Sequence, residues 1–105
     1  MKFEFSPHIA FQVKDFSKAK EFYEKVLGME VVRHSANETH FVKNGINFYA
    51  ENSDLGFTFF EFKVENVKEA RELLETSGCK VTQEYNEKSI MIADPFGMRF
   101  HIWES

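Results

Sequence analysis

The sequence predicts an α+β domain made of two tandem βαβββ modules, and three observations carry that prediction. The first is an internal repeat: VKDFSKAKEFYE over 13–24 returns as VENVKEARELLE over 64–75. Val13, Ala19, Glu21 and Glu24 recur as Val64, Ala70, Glu72 and Glu75, each 51 positions later, so one structural unit occurs twice. The second is a stretch of alternating apolar residues leading into each copy, the period-two signature of a strand. The third is a glycine, Gly28 or Gly78, at the close of each helical pattern, where a left-handed C-terminal residue belongs.

The elements follow in order. In the first module, 7–51, residues 8–13 alternate as a strand. Asp15 then supplies a side-chain acceptor suited to a helix N-cap. The helix places Phe16, Ala19, Phe22, Tyr23, Val26 and Leu27 on one stripe. Three strands come next, near 29–33, 39–43 and 46–51, the last two joined by a tight turn at Asn44-Gly45. The second module, 57–104, repeats the plan. A strand spans 57–64, Asn66 caps a helix carrying Val67, Ala70, Leu73 and Leu74, and strands follow near 79–83, 89–93 and 99–103. Asp94-Pro95-Phe96-Gly97 makes the turn before the last strand. The polar gap 52–56 is too short to let the modules move freely, so 1–105 reads as a single domain.

Composition narrows the function. Thirteen phenylalanines bring large buried area to a 105-residue chain. A net charge of -4, with basic residues interspersed among acids, argues against nucleic acid or an acidic membrane surface as partner. The single cysteine, Cys79, excludes an intramolecular disulfide and suits a reducing compartment, where it serves as a small apolar residue near a strand start. No apolar run resembles a signal peptide or a membrane span, so the expected location is cytoplasmic.

Strand parity sorts the side chains. Ile9, Phe11, Val13, Ile46, Phe48 and Ala50 face the first helix, and Phe60, Phe62, Val64, Phe100 and Ile102 the second. The opposite faces then carry His8, Gln12, Asn47, Tyr49 and Glu51 in one module, and Phe59, Glu61, Lys63, Arg99, His101 and Trp103 in the other. Polar and aromatic groups converging on a sheet resemble the wall of a pocket; a partly solvated sheet or a dimer interface is the plainer alternative. His34 and His40 lie in a polar stretch and are expected to be solvated.

The run PHIAFQVKDFSKAKEFYEKVLGMEVV and the later DPFGMRFHIWE resemble the vicinal oxygen chelate superfamily, whose members include glyoxalase I, bleomycin-resistance proteins, fosfomycin-resistance enzymes, methylmalonyl-CoA epimerase and extradiol dioxygenases. The resemblance implies an open, barrel-like cleft of the glyoxalase-like fold, commonly completed in a homodimer. It also implies metal ligands on the first and last strands of each module, here His8, Tyr49, Phe59 and His101. The histidines suit that role. Phenylalanine cannot ligate a metal and neutral tyrosine ligates poorly. Glu51 and Glu61 lie two residues further along the same faces, ~7 Å away at the usual strand rise. A His8, Glu61, His101 set would resemble a two-histidine, one-carboxylate site.

Two functions are therefore expected, and a third is open. The first is a bleomycin-resistance-like binder that takes a flat or amphipathic small molecule on Tyr49, Phe59, Arg99 and Trp103. The second is a lyase or isomerase of the glyoxalase I or epimerase type. There a divalent Ni, Zn, Fe or Mn on His8, His101 and one carboxylate, Glu61 or Glu51, polarises a carbonyl, and the other carboxylate moves a proton as general base. The third, an accessory domain acting through its dimer surface, has no residue that singles it out.

Overall fold

Both copies of the repeat fold as the alternation requires, and the computed structural model describes all 105 residues. The chain divides into two compact units, Pro7–Thr58 and, joined by the N-terminal segment Met1–Ser6, Phe59–Ser105. A two-residue strand that the pattern does not announce, β1 (Glu4–Phe5), comes first in the chain and belongs to the C-terminal unit.

The N-terminal unit runs β2 (His8–Val13), α1 (Phe16–Lys25), β3 (Glu30–His34), β4 (Glu38–Lys43) and β5 (Ile46–Asn52). β5 pairs parallel with β2 and antiparallel with β4, which pairs antiparallel with β3. The parallel register sets His8 beside Asn47, Ala10 beside Tyr49 and Gln12 beside Glu51. Parity holds: Phe11, Val13, Phe48 and Ala50 join Phe16 and Phe41 in one core under α1. Asn44 and Gly45 both take positive φ, 52° and 80°, the requirement of a type I′ hairpin turn.

The C-terminal unit runs β6 (Thr58–Lys63), α2 (Val67–Thr76), β7 (Lys80–Asn86), β8 (Ser89–Ala93) and β9 (Arg99–Trp103). β6 pairs parallel with β9, β9 antiparallel with β8, and β8 antiparallel with β7. β1 adds antiparallel to β6, with Phe5 opposite Phe62 and their rings edge to face. The core beneath α2 gathers Val64, Val67, Ala70, Ile90, Ile92, Phe100 and Ile102. Cys79 packs against it, and burial, followed by the nearby Asp94 carboxylate, pushes its thiol up and keeps it protonated.

Two local expectations need correction. Asp15 does not cap α1 through its side chain: it sits in the left-handed region at φ 47°, and its carbonyl accepts the first helical bond from Ala19. Nor is the whole apolar stripe of α1 buried. Phe16 is in the core and Ala19 and Tyr23 are half-buried, whereas Phe22 and Val26, four apart on the flank, remain 49% and 68% exposed.

Candidate functional site

On the helix-free face of the N-terminal unit, adjacent strands gather three rings. The antiparallel register puts His40 of β4 opposite Tyr49 of β5. Their rings are stacked nearly parallel, centroids 4.5 Å apart and 13° between planes. The Tyr49 hydroxyl meets His8 Nδ1 at 3.3 Å. His40 Nε2–H donates to Asn47 Oδ1 at 2.7 Å, and the Asn47 amide donates to the Pro7 carbonyl at 3.4 Å. His40 is thus no solvated histidine. Parity on β4 could have found it, because Thr39 and Phe41 on either side face inward and are fully buried. His34 is exposed as expected, yet its ring stacks on Phe16 at 5.5 Å and its Nδ1 meets Thr39 Oγ1 at 2.7 Å.

Glu51 lies further along the same face, between Gln12 on β2 and Glu38 on β4. Burial holds its carboxyl above the usual carboxylate range. The Glu38 charge across the strand pushes the same way, and a hydrogen bond from Gln12 opposes both. Gln12 is itself fixed, its Oε1 accepting the Phe57 N–H at 3.0 Å.

The corresponding face of the C-terminal unit is an acid–base chain rather than an aromatic stack. The parallel register sets Glu61 directly beside His101, and Phe59 beside Arg99. Glu61 Oε1 lies 3.2 Å from His101 Nδ1. The other ring nitrogen, Nε2, lies 2.5 Å from Ser89 Oγ on β8. Tyr85 of β7 stands edge-on to the imidazole, with centroids 5.8 Å apart. At the end of β9, Trp103 donates its indole N–H to buried Ser6 at 3.2 Å, and the Lys63 ammonium sits 5.2 Å from its ring centroid, a cation–π pair. The ~7 Å displacement expected of Glu61 is measured from Phe59, and His101 pairs with Glu61 rather than with Phe59.

These donors were tested against the divalent metal implied by the family resemblance. Glu61 and His101 are two donors in contact, and both imidazole nitrogens are already engaged. In the N-terminal unit His8 meets a phenol and His40 an amide. Neither unit assembles three or more His, Cys, Asp or Glu side chains around a point that could hold an ion. Lewis-acid chemistry normally needs three protein donors and an open position, so the residues within each unit do not fit the group.

Comparison with known proteins places these features in context. A family model described as Glyoxalase/Bleomycin resistance protein/Dioxygenase superfamily matches residues 6–102. No curated protein matches the chain. Among solved structures it is similar to a glyoxalase/bleomycin resistance protein/dioxygenase superfamily member from Vibrio splendidus 12B01, at 16% identity and a TM-score of 0.75, covering 99% of this chain and 100% of that one. It is similar to homoprotocatechuate 2,3-dioxygenase from Arthrobacter globiformis, at 19% identity and a TM-score of 0.75, covering 99% of this chain and 37% of that one. For a Mn(II)-bound glyoxalase from Novosphingobium aromaticivorans the identity is 23%, the TM-score 0.72, and the coverage 96% and 38%. The chain thus spans well under half the length of those two enzymes, and at such identities the likeness is one of fold.

Proposed function

The chain belongs to the glyoxalase/bleomycin resistance protein/dioxygenase superfamily, and from that premise we propose that its elementary activity is to bind a small, flat, amphipathic molecule on the helix-free sheet faces. One observation carries the reading: those faces hold ordered aromatic and hydrogen-bonding groups where a merely solvated sheet would carry Lys, Glu, Thr and Ser. Tyr49, Phe59 and Trp103 supply area for stacking, and Arg99 a planar donor. Glu51 and Glu61 favour a ligand with a cationic or donor edge. A homodimer in the cytoplasm belongs to this reading; half-exposed Phe22 and Leu27 and exposed Val26 on α1 are apolar area that a second copy would cover.

Trp103 is the only tryptophan, so its fluorescence reports on the C-terminal face directly. A screen of planar aromatic amines and acids is expected to yield saturable quenching, weakened by Phe59→Ala and by Arg99→Ala. A screen in which no compound perturbs that emission, with both variants folded, overturns the proposal.

A metal-dependent lyase or isomerase has the Glu61–His101 contact in its favour and a missing third donor against it. Elemental analysis of untagged protein separates the two. Binding alone predicts Ni, Zn, Fe and Mn well below one per chain; one tightly held ion per chain, lost in His101→Ala, would establish the enzyme instead.

A further inference from the structure

Ser89, His101 and Glu61 form a continuous chain within the C-terminal unit, and the order of its atoms is informative. Ser89 Oγ lies 2.5 Å from His101 Nε2, and His101 Nδ1 lies 3.2 Å from Glu61 Oε1. In the tautomer whose Nδ1–H donates to the Glu61 carboxylate, Nε2 is left as an acceptor. The Ser89 hydroxyl must then be the donor. This is the connectivity of a nucleophile, its general base and the group that orients the base, and such an arrangement is recognised by geometry rather than by sequence position.

The local fold explains how the three meet. Glu61 and His101 are neighbours across the parallel β6–β9 pair. Met91 faces His101 directly across β8–β9, and Ser89, two residues earlier on the same face, reaches the imidazole along the diagonal. Ile90 between them and Ile92 just after are buried beneath α2, which fixes the parity of both. Lys88 N–H donates to Asn86 Oδ1 at 2.7 Å, pinning the turn that delivers Ser89 to the strand. The side chains of His101 and Glu61 remain 24% and 22% exposed, so the chain opens outward instead of being sealed in the core.

We propose that Ser89 is an activated nucleophile for acyl transfer from small esters with good leaving groups, aryl esters of short acids being the class. The Ser89 Oγ–C bond forms at the ester carbonyl as His101 Nε2 takes the hydroxyl proton. The C–O bond to the leaving phenol then breaks, and that proton passes from Nε2 to the departing oxygen. Water, deprotonated by the same nitrogen, attacks the acyl-serine, releases the carboxylic acid and restores the hydroxyl. Glu61 is a positioning residue that holds the tautomer and stabilises the imidazolium. Aryl esters suit a site whose assets are nucleophile activation and leaving-group protonation, and the half-exposed Tyr85 ring beside the imidazole offers an aryl group a surface to pack on.

The test uses the full chain with an alkyl fluorophosphonate, in which a Ser89 Oγ–P bond forms and fluoride leaves, and with p-nitrophenyl acetate. Expected are one phosphonyl adduct per chain, mapped to Ser89 by peptide mass, and a burst of nitrophenol stoichiometric with protein. Ser89→Ala abolishes both. His101→Gln slows labelling by roughly 10²-fold or more, and Glu61→Gln slows it less. Should His101→Gln fail to fold, Ser89→Cys keeps the proposal open to refutation, because its thiol must form an acyl adduct with p-nitrophenyl acetate. Absence of labelling, labelling elsewhere, labelling of Ser89 at equal rate in folded His101→Gln, an unreactive Ser89→Cys, or loss of reactivity in EDTA overturns it.

Discussion

The two modules share a plan and differ in how they use it. In the N-terminal unit the helix-free face is a cluster of aromatic rings, with Tyr49 stacked on His40 and its hydroxyl against His8. The same face of the C-terminal unit is a chain of proton donors and acceptors, Ser89–His101–Glu61. The helices differ too. Asn66 caps α2, its side chain accepting the Glu69 N–H at 2.9 Å, whereas the equivalent Asp15 is left-handed and makes no side-chain cap. Duplication preserves what the backbone and core require. Only the face free of the helix is at liberty to change its chemistry, because substitutions there disturb no packed interior.

That contrast can be broken experimentally, beginning with the cores. The N-terminal core rests on few buried residues with Phe41 at its centre, fully enclosed, while α2 covers a core shared among several aliphatics. Phe41→Ala is expected to cost about 3–5 kcal/mol and Ile92→Val about 0.5–1.5 kcal/mol, read from urea denaturation. A loss at Phe41 below about 1 kcal/mol would mean that the N-terminal core does not depend on that ring.

The caps should respond with opposite signs. Asn66→Ala removes a side-chain acceptor from a helix N-terminus and is expected to cost about 1 kcal/mol. Asp15→Gly relieves a left-handed backbone and is expected to stabilise by up to about 1 kcal/mol. Thermal melts of the two variants decide it, and destabilisation by both would show that Asp15 makes a contribution its geometry does not reveal.

A smaller effect separates the faces by pH. Glu51 holds its proton more tightly in the folded chain than in the unfolded one, chiefly through burial and then through Glu38. Protonation therefore favours the fold, and stability falls as pH rises from the ordinary carboxylate range through the raised folded value. Glu51→Gln should flatten that slope and raise the melting temperature at neutral pH, and an unchanged slope would assign it to another group. Smallest of all, Tyr49→Phe deletes the long hydroxyl contact with His8 and keeps the stack on His40, for about 0.5 kcal/mol.

Much of this was legible beforehand. The strands β2, β8 and β9 match the pattern at both ends, and Gly28 and Gly78 take the left-handed φ of 72° and 98° that their positions demanded. β1 was not legible, because Glu4–Phe5 is too short to show a period and is ordered by pairing with β6. The boundary of β7, which runs on to Asn86, was also missed, since its outer residues are exposed and its register shifts twice against β8. Parity placed His8 and Tyr49 on the helix-free face of one unit and Glu61 and His101 on that of the other. Ser89 and Tyr85 were not found, because neither belongs to the strands searched for ligands.

Local periodicity and the repeat determined by themselves the two βαβββ units, their helices, their turns and the face on which each strand residue lies, because those properties depend on backbone geometry and the near neighbours in the chain. Which groups touch was settled by tertiary structure. The parallel register of β6 on β9 decided that Glu61, not Phe59, stands beside His101, and the diagonal across β8 brought Ser89 to the imidazole. A one-residue slip in pairing would exchange every such partner while leaving the pattern of each strand, read alone, unchanged.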